Sequence, residues 1–194
     1  MDKNIDLRIA RTHKMIKEAF FDLMDSIGFE KITMQALTKK AMISRTTFYL
    51  HYNDKYDLLD QIEKEILDGL KDIALDLPVN EMIKNGLSNE KSYLLLLNIY
   101  KYVKENNQFF RLIMSENGDP SFYYKWNETI KEIVSHNIDI SRFKIPVHYA
   151  ISFLIGFQTS IINEWIKTDM KETPEEIVKM ITQVMHDFPK NIYE

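Results

Sequence analysis

Cysteine is missing altogether from this chain. No disulfide framework, thiolate nucleophile or cysteine-bound zinc can be built, and the composition suits a reducing compartment. Glycine and proline are scarce, five of each in 194 residues. Neither a glycine-rich phosphate loop nor a nucleophile elbow is found, and no catalytic constellation replaces them, so the chain is not expected to be an enzyme. Alternating strand patterns, internal repeats and low-complexity tracts are missing too, and the expected fold is all-α. The greasiest stretch, Ala150 to Trp165, is interrupted by Ser152, Gln158, Thr159, Ser160, Asn163 and Glu164, so it reads as a buried helix rather than a membrane span. The first six residues lack the apolar segment of a secretion signal. A cytoplasmic protein with no membrane partner is expected. With 45% hydrophobic and 28% charged residues, there is enough apolar surface for one small and one larger helical domain.

A formal charge of −4 argues at first against a nucleic-acid partner, because a phosphate backbone rewards lysine and arginine. The distribution reverses that. Residues 31–55 hold Lys31, Lys39, Lys40, Arg45 and Lys55 against Asp54 alone, a local net charge of +4 that leaves −8 for the remainder. A basic head on an acidic body is steered head-first toward DNA.

The same segment has the grammar of two short helices joined by a tight turn. Thr33 is placed to cap the first, whose Ala36, Leu37 and Ala41 line one face while Lys39 and Lys40 stay outside. Ser44 is placed to cap the second, with Ile43 and Phe48 turned to the core. About three residues separate the two, as a helix-turn-helix requires. The first residues of a recognition helix reach base edges, which puts Arg45, Thr46 and Thr47 where sequence is read. Tyr49, His51, Tyr52 and Lys55 follow with donors suited to phosphate oxygens, although one tyrosine ring is needed beside Phe48 for packing. A lone exposed arginine is usually only solvated; inside this motif Arg45 is expected to touch DNA, at a guanine edge or a phosphate. With the cap residues Thr33 and Ser44, these form the expected DNA-binding set.

Thr33, then Ala41-Met42-Ile43-Ser44-Arg45-Thr46-Thr47-Phe48-Tyr49, then His51-Tyr52 and Lys55 with Leu58-Leu59, resemble the signature of the tetracycline-repressor (TetR) family of bacterial transcription regulators. The likeness is specific over residues 8–59. Beyond residue 60 it is one of architecture, with a weaker similarity to regulators of the dihydroxyacetone-kinase type. The resemblance implies repression of transcription by a homodimer on a double-stranded operator. One departure matters. Many family members carry glycine in the turn, where this chain has Met42, so either Met42 takes a φ compatible with its side chain or it accepts strain.

Elsewhere, apolar periodicity from Met15 to Ile27 predicts a bracing helix that stops at Gly28. A stripe through Leu59, Ile62, Ile66, Ile73 and Leu77 predicts a long helix joining two domains, residues 1–55 and 56–194. A loop is expected from Asn80 to Lys91, then a buried helix from Tyr93 to Asn106 and a helical turn over Phe109 to Met114. After a break at Asn117-Gly118-Asp119-Pro120 come a helix capped by Ser121, one begun by Pro146, and a last one from Thr173-Pro174 to about Phe188.

His13, His136, His148 and His186 are scattered without partners at ligand spacing, so no metal and no cofactor is expected. Glu175-Glu176 belongs at a helix N-terminus. The aromatics Phe109, Phe110, Phe122, Tyr123, Tyr124 and Trp126 are singly ordinary core candidates. Interleaved with Arg111 and Asn127, they also have the makings of an apolar pocket with a few polar groups. Phe110, Tyr123, Trp126 and Asn127 are therefore the candidate site for a small-molecule inducer. The apolar surface around Ile155, Gly156 and Ile162 is too wide for one contact, so part of it, with Val184 of the last helix, is assigned to a second copy of the chain. Two alternatives to a ligand-responsive repressor stay open: a protein partner in place of the inducer, and an adaptor whose N-terminal helices no longer bind DNA.

Overall fold

Helix follows helix in the computed structural model, and no strand occurs among the described residues. Those are residues 3–75, 78, 80, 90–115, 118–136 and 144–184, with backbone only for 3–6 and 136. The α-helices are α1 (Lys3–Ile27), α2 (Met34–Lys40), α3 (Arg45–Tyr49), α4 (Lys55–Ala74), α5 (Glu90–Glu105), α6 (Asn107–Ile113), α7 (Ser121–His136), α8 (Val147–Lys167) and α9 (Pro174–Val184), with a 3₁₀ turn at Phe29–Lys31. The chain divides into two compact units, Met1–Glu65 with Arg111–Phe122, and Ile66–Phe110 with Tyr123–Glu194.

In the first unit α1 starts at Lys3, well ahead of the apolar periodicity that begins at Met15. Residues 7–11 are all exposed, so no buried stripe could announce those turns. The helix ends at Gly28, whose φ of 77° is costly for any residue with a Cβ. Ile16 and Phe20 from α1, Leu37 from α2, Phe48 from α3 and Leu58 from α4 lose all contact with water. Each such side chain contributes about 1.5–3 kcal/mol. The exposed ion pairs Lys14–Glu18 and Asp22–Lys40 contribute at most about 1 kcal/mol each. Apolar packing therefore sets the angles at which these helices meet.

In the second unit α9 packs on α5, with Lys101 and Glu175 paired at 3.0 Å. Tyr100 of α5 is fully buried, donates to Gln158 Oε1 at 2.9 Å and lies against the ring of Trp165. The Trp165 indole N–H donates to the Glu172 carbonyl at 3.0 Å. Gly69 of α4 admits the Tyr102 ring, whose hydroxyl donates to the Ile66 carbonyl at 3.0 Å; a Cβ at Gly69 would collide with that phenol. Nothing in the α4 stripe marks this contact, because the signal is an absent side chain.

Boundaries shift for local reasons. Ser121, expected as a cap, is the first residue of α7, and Asp119 does the capping: it accepts from the Ser121 N–H at 2.8 Å and from its hydroxyl at 2.7 Å. Glu90 and Lys91, read as loop, open α5, while 81–89 lie outside the described residues. So do Leu77 and the expected end of the last helix near Phe188. At the start of α9 the expected cap is present as a reciprocal pair: the Glu176 N–H donates to Thr173 Oγ1 at 3.2 Å, and the Thr173 N–H to Glu176 Oε2 at 2.8 Å. Thr173→Ala should cost about 1 kcal/mol. The check is a lower midpoint of urea unfolding followed by circular dichroism; an unchanged midpoint would contradict the role assigned to the cap.

Candidate nucleic-acid interface

Both caps of the two-helix motif are formed. Thr33 Oγ1 accepts from the Ala36 N–H at 3.2 Å, and Ser44 Oγ from the Thr47 N–H at 2.9 Å. Between them the chain closes α2 with two backbone bonds, Met42 N–H to the Lys39 carbonyl at 3.2 Å and Ile43 N–H to the Thr38 carbonyl at 3.1 Å. This turn needs a left-handed residue just past the helix cap, normally glycine. Met42 supplies it at φ 53°. Of the two conformations open to it, Met42 takes the strained one, at a cost of about 1–2 kcal/mol.

The result is a buried base that carries the short helix α3 on its surface. Phe48 is buried to the last atom and anchors α3, while Ser44, Arg45, Thr46 and Tyr49 are exposed. Thr47 is half-buried, its hydroxyl 2.8 Å from that of Ser44. Arg45, Thr46 and Tyr49 are thus the α3 side chains most fully offered to a partner. Arginine can form bidentate bonds to guanine, a threonine hydroxyl can donate to or accept from a base edge, and a phenol serves phosphate.

Other members of the expected set are held inside the unit. Tyr52, expected among the phosphate donors, is the tyrosine spent on packing: it is 2% exposed, lies 5.4 Å from Phe48 ring to ring, and its hydroxyl is 2.7 Å from His13 Nδ1. His51 is half-buried with its ring edge-on to His13 at 4.6 Å. The Lys55 ammonium donates to the Phe29 and Glu30 carbonyls at 3.0 and 2.9 Å and stands over the Phe29 and Tyr56 rings. It ties α4 to the 3₁₀ turn. Lys40 pairs with Asp22 at 2.8 Å. Of the five cations in residues 31–55, Lys31, Lys39 and Arg45 remain exposed with no ion pair among the described residues.

Sequence reasoning missed His13 because 39 positions separate it from Tyr52 and no helical period links the two. Burial holds its proton affinity below the usual 6.5, helped by the charges of His51 and Lys17 and opposed by Glu65, which is ion-paired to Lys17. Burial also pushes the Tyr52 phenol up to about 12, with Glu65 and Asp57 adding to the effect.

The candidate inducer residues do not share one wall. Phe110 and Trp126 are fully buried, packed edge to face at 5.5 Å, whereas Tyr123 is exposed. Asn127 links α7 to α8, accepting from the Thr159 hydroxyl at 3.2 Å and donating to the Tyr123 carbonyl at 2.9 Å. Of the candidate dimer residues, Ile155 and Ile162 are buried within the chain, Ile155 against Val134 and Ile151. Val184 is exposed, and a Cβ on Gly156 would meet nothing. Tyr149 and Phe153, exposed on α8, share the helical face of Gly156. Among the described residues of α8 and α9 the exposed large hydrophobics are Tyr149, Phe153, Met180 and Val184, whereas the two isoleucines are turned inward.

A family model described as bacterial regulatory proteins, tetR family, matches residues 16–62, and one described as transcriptional regulator C-terminal region matches 90–187. The chain is similar to the uncharacterized HTH-type transcriptional regulator YxbF of Bacillus subtilis (strain 168), 21% identical over 179 residues, 88% of this chain and 43% of that protein. It is also similar to the HTH-type dhaKLM operon transcriptional activator DhaS of Lactococcus lactis subsp. lactis (strain IL1403), 26% identical over 126 residues, covering 63% of this chain and 60% of that one. The chain thus spans less than two thirds of the length of these curated relatives. Its fold matches a TetR transcriptional regulator from Streptococcus agalactiae 2603V with a TM-score of 0.64 at 21% identity, covering 95% of this chain and 98% of that one.

The His13–Tyr52 bond carries a pH prediction. A histidine whose proton affinity is lowered by folding leaves the unfolded chain to take up protons first as pH falls below 6.5. Stability present above that pH is then lost on the way down to the folded value. Wild type should lose more unfolding free energy than His13→Gln between pH 8 and pH 5.5, measured by urea denaturation. Equal losses would contradict the assignment.

Proposed function

Since the chain belongs to the TetR family of bacterial transcription regulators, we propose that it works in the cytoplasm as a homodimeric repressor. In this reading residues 1–55 bind one half of a near-palindromic operator each, through α3, while residues 56–194 dimerise and receive the signal. The observation that carries it is the Ser44-capped, Phe48-anchored α3 that offers Arg45, Thr46 and Tyr49 to solvent. Two such helices reach successive major grooves when their centres are about 34–36 Å apart. A ligand that favours another spacing releases the DNA, and it can do so only through its different affinity for the two arrangements. α4 continues from the first unit into the second and is the mechanical link in this reading.

A second reading has its own observation. With Phe110 and Trp126 consumed by packing while Tyr123 and Tyr124 are exposed on α7, the second unit suits a protein partner as the source of the signal, and DhaS is described as an activator. The two readings separate by binding. A small-molecule inducer and the operator must oppose each other reciprocally, whereas a partner protein need not change operator affinity at all.

Selection of duplexes from a random pool by the full chain, followed by anisotropy titration, tests the DNA assignment. Arg45→Ala should lose about 1–3 kcal/mol on the selected sequence and flatten the preference at one position per half-site; wild-type behaviour would sink the assignment of α3. For the dimer, Gly156→Glu places a charge on the apolar face of Tyr149 and Phe153, where burial without a partner costs several kcal/mol. Sedimentation should show a wild-type dimer and a monomeric variant. A wild type that sediments as monomer at micromolar concentration ends the proposed interface.

A further inference from the structure

Among the described residues, three that are not glycine have left-handed backbone: Met42, Asp169 and Met170. Both α2 and α8 close in a turn of the same kind, in which the place of Met42 is taken after α8 by Asp169, with Met170 one residue further on. The α8 turn is made by the Asp169 N–H to the Ile166 carbonyl at 3.1 Å and the Met170 N–H to the Trp165 carbonyl at 2.8 Å. Met170 is 1% exposed and its carbonyl accepts from Lys104 at 2.6 Å. Burial offsets its strain. Burial offsets none of the backbone cost of Met42, whose side chain is 82% exposed, and unlike the exposed Asp169 at the matching place it is apolar.

Position gives the second observation. Met42 stands two residues before the Ser44 cap and three before Arg45, and close in sequence to Lys39. A flexible thioether adapts to irregular apolar spots, and the apolar spot that a major groove offers is the C5-methyl group of thymine. Leu50, at the far end of α3, is equally exposed, but its φ of −72° is ordinary. Nothing is spent to hold it there.

We infer that Met42 is a specificity-determining residue whose side chain packs against the C5-methyl of one thymine in each operator half-site. The inference rests on the reading of α3 as the element that meets DNA. It explains why a turn suited to glycine carries a long apolar side chain that the rest of the unit does not use.

The test uses the full chain and a duplex selected by it from a random pool, in which each thymine is replaced in turn by deoxyuridine, deleting only the methyl. One replacement per half-site should weaken wild-type binding about fourfold, the value of one buried methyl group. The same replacement should leave Met42→Gly and Met42→Asn unaffected. Both residues tolerate the left-handed turn, so the melting temperatures of the variants should equal or exceed that of wild type, which separates lost contact from lost fold. Uridine effects that are absent, or identical in wild type and both variants, overturn the inference. Failure of the underlying reading looks different: Arg45→Ala would then bind the selected duplex as tightly as wild type, and the role of Met42 would fall with that of α3.

Discussion

Helix α3 is five residues long, far below the roughly 12–15 at which an isolated helix begins to hold in water, so its existence depends on the burial of Phe48. That one ring converts a marginal turn of helix into a fixed platform. It lies against Tyr49 and Tyr52, and Tyr52 in turn is held by the His13 bond from α1. The Ser44 cap then satisfies a backbone N–H that would otherwise be open at the start of α3. What remains exposed, Arg45, Thr46 and Tyr49, is presented from a base with little freedom to move. A fixed base is the requirement for reading base edges, since each bidentate contact discriminates only when donor positions are set in advance.

Charge plays a narrower part than composition suggests. Five cations in residues 31–55 look like one electrostatic footprint. The structure divides them between tasks, with Lys40 spent on Asp22 and Lys55 on the carbonyls before α2. The acidic balance of the rest still disfavours non-specific adhesion.

Much of this was legible in the sequence, for definite reasons. Caps are local, so Thr33, Ser44 and Thr173 could be read from residue type and spacing alone. The breaker before α7 was equally visible, although the cap within it moved from Ser121 to Asp119, whose carboxylate takes both the N–H and the hydroxyl of Ser121. Side-chain fate was harder. Whether Tyr49 or Tyr52 packs depends on where α1 passes, and α1 lies far away in sequence. Lys55 and Phe29 meet across 26 positions. Trp126 and Phe110 attract a ligand reading because buried aromatics and pocket-lining aromatics share one composition, and both rings are fully buried here. At Met42 the sequence posed the choice between strain and accommodation, and only the backbone could answer it.

The central claim is that the exposed residues of α3 read a sequence rather than merely adhere to DNA. The most direct measurement is an anisotropy titration of the full chain against its selected duplex and a scrambled duplex of equal composition across a salt series. Non-specific binding falls steeply with salt, while specific binding retains an advantage of about 10³ or more at physiological ionic strength. The account predicts two curves separated by at least that margin. A single common curve, falling with salt for both duplexes, would contradict it.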